Sequence, residues 1–304
     1  MSRAARVFVL GVGIGLLAGP LQAQQDFSKV EVTSEKVAEG VYMLKGAGGN
    51  IGVSVGPDGV FLIDDQYAPL TPKIRAAVTA LSDKPIRFVL NTHWHGDHTG
   101  GNENFGQTGV LIVAHENVRK RMSTEQFMEA FGNKVPAAPA AALPVVSFTD
   151  AVTFHLSGEE IHGFHVSPAH TDGDSVVHFR KANVLHGGDT FFNGMYPFID
   201  LSSGGSVSGV VGAADLLLAL AGEGAKIIPG HGPLATRADL QAYRDMVATI
   251  SGRVAAQVKA GKTLEQVTAA APTAEFDAKW GQGFMKAAPF VAIVYKDAQR
   301  VAGR

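Results

Sequence analysis

The sequence predicts an α/β fold, and two kinds of segment indicate it. Short apolar runs, bounded by glycine and proline turns, have the length and the β-branched and aromatic content of buried strands. Longer segments between them repeat their apolar residues every three to four positions, as helices do. The chain has 304 residues, is 46% hydrophobic and contains 36 glycines, which is typical of a compact α/β protein with a substantial core.

Charge and cysteine content exclude several classes of function. The 26 basic and 28 acidic residues give a net charge of −2, so no electrostatic feature favours binding to nucleic acid or to an anionic membrane. The chain has no cysteine, which rules out disulfides, thiolate metal ligands and a cysteine nucleophile. A Gly-x-Ser-x-Gly match at 52–56 lies inside a predicted strand that is followed by another strand, and not at the strand-to-helix turn of a nucleophile elbow. We therefore expect a small-molecule substrate.

The beginning of the chain, Met1 to Ala23, has the pattern of a secretory signal peptide. Arg3 and Arg6 make a positive start, and the apolar run 7–17 is short for a membrane span. The small residue Ala23 suits a cleavage site. These features predict a periplasmic or secreted protein without stable membrane association after cleavage; the alternative is an uncleaved anchor.

Strands and one helix are predicted before the first polar motif. Glycine-containing turns separate three strands, at 41–44, 51–55 and 60–63, and this spacing predicts a meander. Residues 69–81 have helical spacing and a proline near the first turn. The apolar run 86–90 is the next predicted strand.

The middle of the chain is predicted to contain a strand at 110–113 and a helix at 115–122. A second helix is expected at 123–131, where Phe127 and Phe131 are four residues apart. The alanine- and proline-rich stretch 133–144 predicts an extended connector between the two halves of the fold; a flap that flanks the cleft is the alternative.

The remainder of the chain predicts a second set of strands followed by helices. Leu216, Leu217 and Leu220 are expected to face inward from a helix at 206–220, and Thr263 and Gln266 form a predicted capping box. Phe284, Phe290 and Tyr295 are expected in the core. We predict a main domain at 24–235 and a C-terminal helical extension at 236–304 packed on it. The other predicted elements are strands at 152–156, 161–166, 176–179, 184–189 and 227–228 and helices at 236–259 and 289–301.

Three histidines and an aspartate follow the strand at 86–90. Open α/β sheets place their sites at such carboxyl ends. Alternate side chains of an extended segment point to the same side, so His93 and His95 can hold one ion. Asp97 and His98 can hold a second ion. Imidazole and carboxylate together suit zinc or a similar first-row metal. A histidine-rich surface loop without function is the alternative.

The pattern His93-x-His95-x-Asp97-His98 resembles the signature of the metallo-β-lactamase superfamily, and the likeness extends over roughly 37–234. The resemblance implies a four-layer αββα sandwich, with two mixed sheets face to face, helices outside, and the metals at one edge. It also implies that a carboxylate of the Asp64-Asp65 pair supports the metal loop from behind. The alternative is that this pair is a solvated strand end.

Three further positions match the family. His170 and His231 follow predicted strands in glycine-containing turns, and Asp189 ends the predicted strand 184–189 after two glycines. His165 is the rival to His170, and His115 is interpreted as structural. The resemblance implies two zinc ions. The first would be held by His93, His95 and His170, the second by Asp97, His98 and His231, with Asp189 bridging or supporting.

Asp189 is also a departure from part of the family. The best-known β-lactamases carry cysteine or serine at this position, whereas an aspartate is more similar to the glyoxalase II, lactonase and phosphodiesterase branches. The flanking residues 187–192 nevertheless resemble the lactamases. Asn193 and Tyr196 follow in the same loop and can bind a developing oxyanion; the alternative is that the aromatic residues there pack the loop down.

These features together predict a dinuclear zinc hydrolase that uses a metal-bound hydroxide on a carbonyl substrate. Asp97 would orient the hydroxide and carry a proton. The export signal and the lactamase-like flanks make β-lactam hydrolysis the first expectation, with a lactonase, thioesterase or esterase as the alternative. A mononuclear iron persulfide dioxygenase would use fewer of these ligands, and a non-catalytic binding protein would lack some of them.

Overall fold

The structure is a computed structural model that describes residues 26–303. The predicted signal peptide, Met1 to Ala23, lies outside this range. Within 26–303, no helix has both the length and the apolar character needed to cross a membrane.

The first half of the described chain forms a seven-stranded sheet and a small hairpin. The sheet has the order β1-β2-β3-β4-β5-β6-β9, antiparallel up to β4 and parallel from β4 onward, and the hairpin pairs β7 with β8. The strands are β1 (Thr33–Ala38), β2 (Val41–Lys45), β3 (Ile51–Gly56), β4 (Gly59–Ile63), β5 (Ile86–Asn91), β6 (Leu111–His115), β7 (Gln126–Met128), β8 (Asn133–Val135) and β9 (Val146–Phe148).

A six-stranded sheet follows, in the order β10-β11-β12-β13-β14-β15. Its pairs are antiparallel except for β13 and β14, which are parallel. The strands are β10 (Ala151–Leu156), β11 (Glu159–His165), β12 (Ser175–Phe179), β13 (Val184–His186), β14 (Lys226–Ile228) and β15 (Ala235–Thr236).

Helices cover the outer faces of both sheets. Those within 26–303 are α1 (Thr71–Leu81), α2 (Gly96–Thr99), α3 (Asn102–Gly106), α4 (Glu116–Met122), α5 (Val207–Leu220), α6 (Arg237–Lys259), α7 (Leu264–Ala269), α8 (Asp277–Trp280) and α9 (Ala287–Val301).

Alternation along the strands builds the layers. In β4, Val60 and Leu62 belong to the cluster that packs under α1, whereas Phe61 and Ile63 point to the other side and meet the second sheet. The outer face of the second sheet is covered by α5, α6 and α9, whose apolar residues form one cluster with those of β12 to β14. This arrangement confirms the predicted four-layer αββα sandwich with C-terminal helices.

The helix predicted at 123–131 is wrong, because this segment forms the β7–β8 hairpin. Its turn contains Gly132 with φ of 61°, a left-handed conformation that glycine adopts readily, and the amide of Gly132 donates to Met128 O. The spacing of Phe127 and Phe131 therefore does not reflect a helix. Both rings are largely exposed on the hairpin.

Two predicted core residues are also exposed. Leu216 lies on the outer side of α5 and Phe284 lies in the loop before α9, whereas Leu217, Phe290 and Tyr295 are buried as expected. The capping box of Thr263 and Gln266 is present at the start of α7.

The adjacent leucines of α5 provide a test of this packing. Leu217 is fully buried and Leu216 is 38% exposed. We expect Leu217→Ala to lower the free energy of unfolding by about 2–5 kcal/mol, through lost burial and a cavity. Leu216→Ala should change it by less than about 0.5 kcal/mol. Urea titrations followed by circular dichroism measure both, and equal losses would contradict the inward direction of Leu217.

Candidate metal centre

The predicted ligands converge at one edge of the sandwich, where several strands end. His93 and His95 follow β5, while Asp97 and His98 lie in the short helix α2. The other three come from the second sheet: His170 from the β11–β12 loop, Asp189 from the turn after β13, and His231 from the turn after β14. The site thus lies at the position where such sheets place ligands.

Most of the side chains fall into two sets of potential ligand atoms, and a third group, His93, His98 and Asp189, overlaps both. His93, His95 and His170 form one set, with 2.8 Å between His95 Nδ1 and His170 Nε2. Asp97, His98 and His231 form the other. His231 Nε2 lies 3.3 Å from both His98 Nε2 and Asp97 Oδ2. These are the two groupings that the sequence predicted for a first and a second metal.

Asp189 lies between the two sets. Its Oδ1 is 3.1 Å from His98 Nε2. Its Oδ2 is 3.5 Å from His170 Nε2 and 3.4 Å from His231 Nε2. One carboxylate therefore reaches imidazoles of both sets, as a bridging ligand would.

In three of the ligand histidines, the ring nitrogen that points away from the other ligands is held by a neighbouring group. His98 Nδ1 lies 2.8 Å from Asp64 Oδ2, and His95 Nε2 lies 3.1 Å from Asp200 Oδ2. His170 Nδ1 donates to the carbonyl of Phe198 at 2.8 Å. Such contacts select the tautomer and aim the near nitrogen into the site.

Asp64 has a backbone conformation that suits this role. Its φ is 64°, which is uncommon for a residue other than glycine. The buried carboxylate also accepts hydrogen bonds from the amide and the hydroxyl of Thr92. Asp64 thus joins the end of β4 to the metal loop, as the family resemblance implied, and is not a solvated strand end. Asp65 accepts instead from the amide of Gly101.

Asp200 was not identified from the sequence. It is buried, and its Oδ2 accepts from Ser203 Oγ at 2.6 Å as well as contacting His95. Ser203 Oγ in turn accepts from Trp94 Nε1 at 3.2 Å. Asp200 lies far along the chain from the histidine motif and caps the 3-10 helix Leu201–Ser203 by accepting from the amide of Ser203. Its local pattern therefore indicates a helix cap and does not connect it to His95.

The residues present fit divalent metal ions. His93 Nε2 is buried and has no hydrogen-bond partner in the described structure, which is costly for a polar atom unless an ion binds there. Asp189 Oδ1 is likewise buried without a hydrogen bond despite its closeness to His98. Imidazole and carboxylate donors suit zinc and similar first-row metals.

Protonation favours ligation in the first set and differs in the second. Burial lowers the pKa of His93 well below its ordinary value and that of His170 to about 4, so both rings are neutral at pH 7. Burial alone would raise the pKa of Asp97. The neighbouring His98 and His231 outweigh it and lower that pKa to about 2, so the carboxylate is ionised. Neutral imidazoles and ionised carboxylates are the forms that bind metal. Burial lowers the pKa of His98 and His231, but the neighbouring carboxylates outweigh it and raise both, that of His231 to about 9, so these two rings would release a proton when an ion binds.

Two glycines let the backbone approach the ligands. A Cβ atom on Gly230 would lie 2.0 Å from Asp189 Oδ1, and one on Gly49 would lie 2.1 Å from His98 Cε1. The side chain of Asn50, next to Gly49, donates to the carbonyls of Pro229 and Gly232. These hydrogen bonds join the predicted glycine turn after β2 to the turn that carries His231.

The ligands open into a cleft of about 570 Å³. Tyr67 is the phenol in its wall; burial, followed by the charge of Asp97, raises the pKa of Tyr67 to about 12. The hydroxyl is therefore protonated at neutral pH. The lining residues are Ala47, Tyr67, His95, Gly96, Asp97, Met128, Phe131, Asn133, Asp189, Phe198, His231 and Phe284.

The structure does not bring the two predicted substrate contacts to this cleft. Tyr196 is fully buried, stacks on Phe290 and donates to Asp277 Oδ1 at 2.8 Å. The side-chain amide of Asn193 donates to Pro233 O at 3.0 Å, which holds the loop of His231. The expectation that Tyr196 binds an oxyanion is therefore wrong. The side chain of Asn193 stabilises the loop of His231 instead of facing the cleft.

The rival histidines lie elsewhere. His165 stacks on His115 at 3.8 Å between ring centroids, and its Nδ1 donates to Asp174 O. His115 also caps α4 by accepting from the amide of Asn117. His165 is thus not part of either ligand set, and the structural interpretation of His115 agrees with these contacts.

Asp64→Asn tests the support behind the second ligand set. Asparagine tolerates the left-handed backbone, but its amide replaces a carboxylate acceptor of His98. We expect zinc affinity at this set to fall about 10–100-fold. Competition with a chromophoric chelator measures it. The control is Asp215→Asn on α5, which removes an exposed ion-pair partner of Arg244 and should leave the zinc affinity unchanged. Equal zinc affinities in both variants would contradict the supporting role of Asp64.

Two curated relatives match part of the chain. The α subunit of 2,4-dinitroanisole O-demethylase from Nocardioides sp. (strain JS1661) is 26% identical over 144 residues, 46% of this chain and 40% of that protein. Hydroxyacylglutathione hydrolase from Nitrosococcus oceani is 32% identical over 105 residues, 34% of this chain and 39% of that protein. The chain thus spans about two fifths of the length of each.

Solved structures share the fold. The DIM-1 metallo-beta-lactamase is 20% identical with a TM-score of 0.59, and the match covers 73% of this chain and 99% of that one. The sec-alkylsulfatase Pisa1 from Pseudomonas sp. is 18% identical with a TM-score of 0.67, covering 90% of this chain and 50% of that one. The metallo-beta-lactamase superfamily model matches residues 44–238, more than half of the sequence, and the chain therefore belongs to this superfamily.

Proposed function

We propose that the protein is a zinc-dependent hydrolase with two metal ions that cleaves a neutral carboxylic ester or lactone. The observation that carries the proposal is the pair of complete ligand sets on either side of Asp189, open to a cleft. A mononuclear oxygenase would need only one of these sets. A binding protein would need neither set to be complete.

Bound zinc ions would supply a polarised carbonyl and a water of lowered pKa. The chain's own residues supply orientation. Asp97 is the ligand carboxylate with partial exposure to the cleft, 24% of its side chain, and it is ionised at neutral pH. It can accept a hydrogen bond from the attacking water and hold the proton that this water releases.

The walls of the cleft favour an uncharged substrate. Among the described residues that line it, none is lysine or arginine, and the non-ligand surface is mainly aromatic and apolar, including Tyr67, Met128 and Phe131. β-Lactam antibiotics carry a carboxylate, which a cationic side chain would recognise. The cleft therefore supports the ester and lactone alternative over β-lactam hydrolysis, the first expectation from sequence.

Of the two relatives, hydroxyacylglutathione hydrolase supports hydrolysis at a carbonyl, whereas the O-demethylase subunit does not bear on it. Hydroxyacylglutathione hydrolase is named for an acylated glutathione. The aspartate at position 189 is also more similar to the glyoxalase II, lactonase and phosphodiesterase branches of the family than to its best-known β-lactamases. The signal-like segment Met1 to Ala23 supports export, so we propose that hydrolysis takes place in the periplasm or outside the cell.

Initial rates with a chromogenic ester, a lactone, a thioester and a chromogenic cephalosporin test the proposal. We expect ester or lactone hydrolysis that a chelator abolishes and zinc restores. His98→Ala should lower kcat at least about 100-fold, because it removes one ligand of the second set. The control is His178→Ala, a strand histidine outside both ligand sets, which should keep the activity.

The other results are equally informative. Hydrolysis that the chelator does not affect would contradict a metal-dependent reaction. Cephalosporin turnover faster than that of every ester and lactone would replace the proposed substrate with a β-lactam. One iron per chain, with no hydrolysis of any substrate, would favour the oxygenase.

A further inference from the structure

We propose that an apolar pocket beside the metal cleft holds a hydrocarbon chain of the substrate, so that the ester or lactone cleaved here carries an acyl or alkyl tail. This inference rests on the proposed function and specifies its substrate class. The pocket has a volume of about 370 Å³, within the range of about 300–1,000 Å³ typical of small-molecule sites.

The pocket lies between three segments that surround the metal edge. One is the tip of the β7–β8 hairpin with Phe131, another is the loop that contains Phe198 and Leu201, and the third is the first half of α9 with Ala292 and Ile293. The walls are mainly apolar. A methylene chain would bury its surface there without leaving a polar group unpaired.

The pocket adjoins the metal cleft. Phe131, Phe198 and Phe284 line both of them, so these three rings form the boundary that the two spaces share. A substrate whose carbonyl lies at the ligands can therefore extend past these rings into the pocket.

Aromatic contacts connect this boundary to both ligand sets. The Phe198 ring lies 5.6 Å from that of His170 and 5.2 Å from that of Phe131. On the other side, Phe192 stacks on His231 at 5.2 Å and lies 6.4 Å from Phe284. The apolar wall thus begins directly behind a ligand of each set, which leaves little distance between the reacting carbonyl and the pocket.

Two of the boundary rings are exposed although they are large and apolar. Phe131 is 55% exposed and Phe284 is 58% exposed, and they come from separate parts of the chain. Apolar surface that gathers around a cleft marks a ligand-binding site more often than isolated exposed residues do. A bound chain would cover both rings.

The charged residues near the pocket do not form a site for an ionic group. Asp200 is buried and its carboxylate is used by His95 and two serines. Glu129 and Lys296 are exposed, one on the hairpin turn and one on α9. The interior therefore suits an uncharged hydrocarbon rather than an anionic head group.

Hydrolysis of p-nitrophenyl acetate, butyrate, hexanoate and octanoate by the zinc-loaded protein measures the use of the pocket. We expect kcat/KM to rise roughly tenfold for each added pair of methylenes that the pocket buries. Ala292→Trp fills the pocket and should remove this rise. Ile293→Asn places an amide on the same wall and should weaken the rise.

Ala255→Trp is the matched control, because it makes the same change at an exposed position of α6 away from both cavities. Zinc content and circular dichroism of each variant show whether it folds. Calorimetric titration with 1-octanol adds a readout that does not depend on activity. The wild type and Ala255→Trp should bind this alcohol, and Ala292→Trp should not.

The outcomes separate the two proposals. Ester hydrolysis without dependence on chain length, or an equal response of Ala292→Trp and Ala255→Trp, would overturn the pocket and leave the hydrolase standing. Octanol binding that Ala292→Trp abolishes, with no ester or lactone hydrolysed, would support the pocket and overturn the proposed reaction. Absence of both octanol binding and chain-length dependence would overturn the pocket.

Discussion

The burial of Asp189 among imidazoles is the constraint on which the rest of the site depends. Its carboxylate lies within 3.5 Å of nitrogen atoms of His98, His170 and His231, which come from different loops. Bringing these donors together with nitrogens unpaired is unfavourable unless cations bind between them. The glycine turns, the left-handed Asp64 and the buried Asp200 all hold this arrangement in place. These contacts therefore position the ligand side chains at one edge of the sandwich.

The metal ligands and the walls of the two cavities come from different parts of the fold. Strand ends and short turns position the ligands, because sheet hydrogen bonds fix the backbone there. The walls of the two cavities come instead from the β7–β8 hairpin, the loop after Tyr196 and the loop before α9. These segments are less constrained by the sheets, so the specificity of such a site can change while its metal ligands stay in place.

Sequence reasoning was most successful where the pattern is local. The strand before His93 and the dense histidine motif are visible in a short window, and the αββα arrangement followed from a family resemblance. Contacts between distant segments could not be predicted in this way. The partnership of His95 with Asp200 depends on how a loop folds back, and Tyr67 reaches the cleft from the end of a different strand. Phe284 has the apolar character of a core residue, and only the packing of α9 shows that it is exposed.

The most direct test of the central claim is a crystal structure of the zinc-loaded protein with anomalous diffraction at the zinc edge. Two anomalous peaks per chain are expected, one bounded by His93, His95 and His170 and one by Asp97, His98 and His231, with Asp189 between them. A single peak, or peaks away from Asp189, would contradict the account of a dinuclear centre built around this carboxylate.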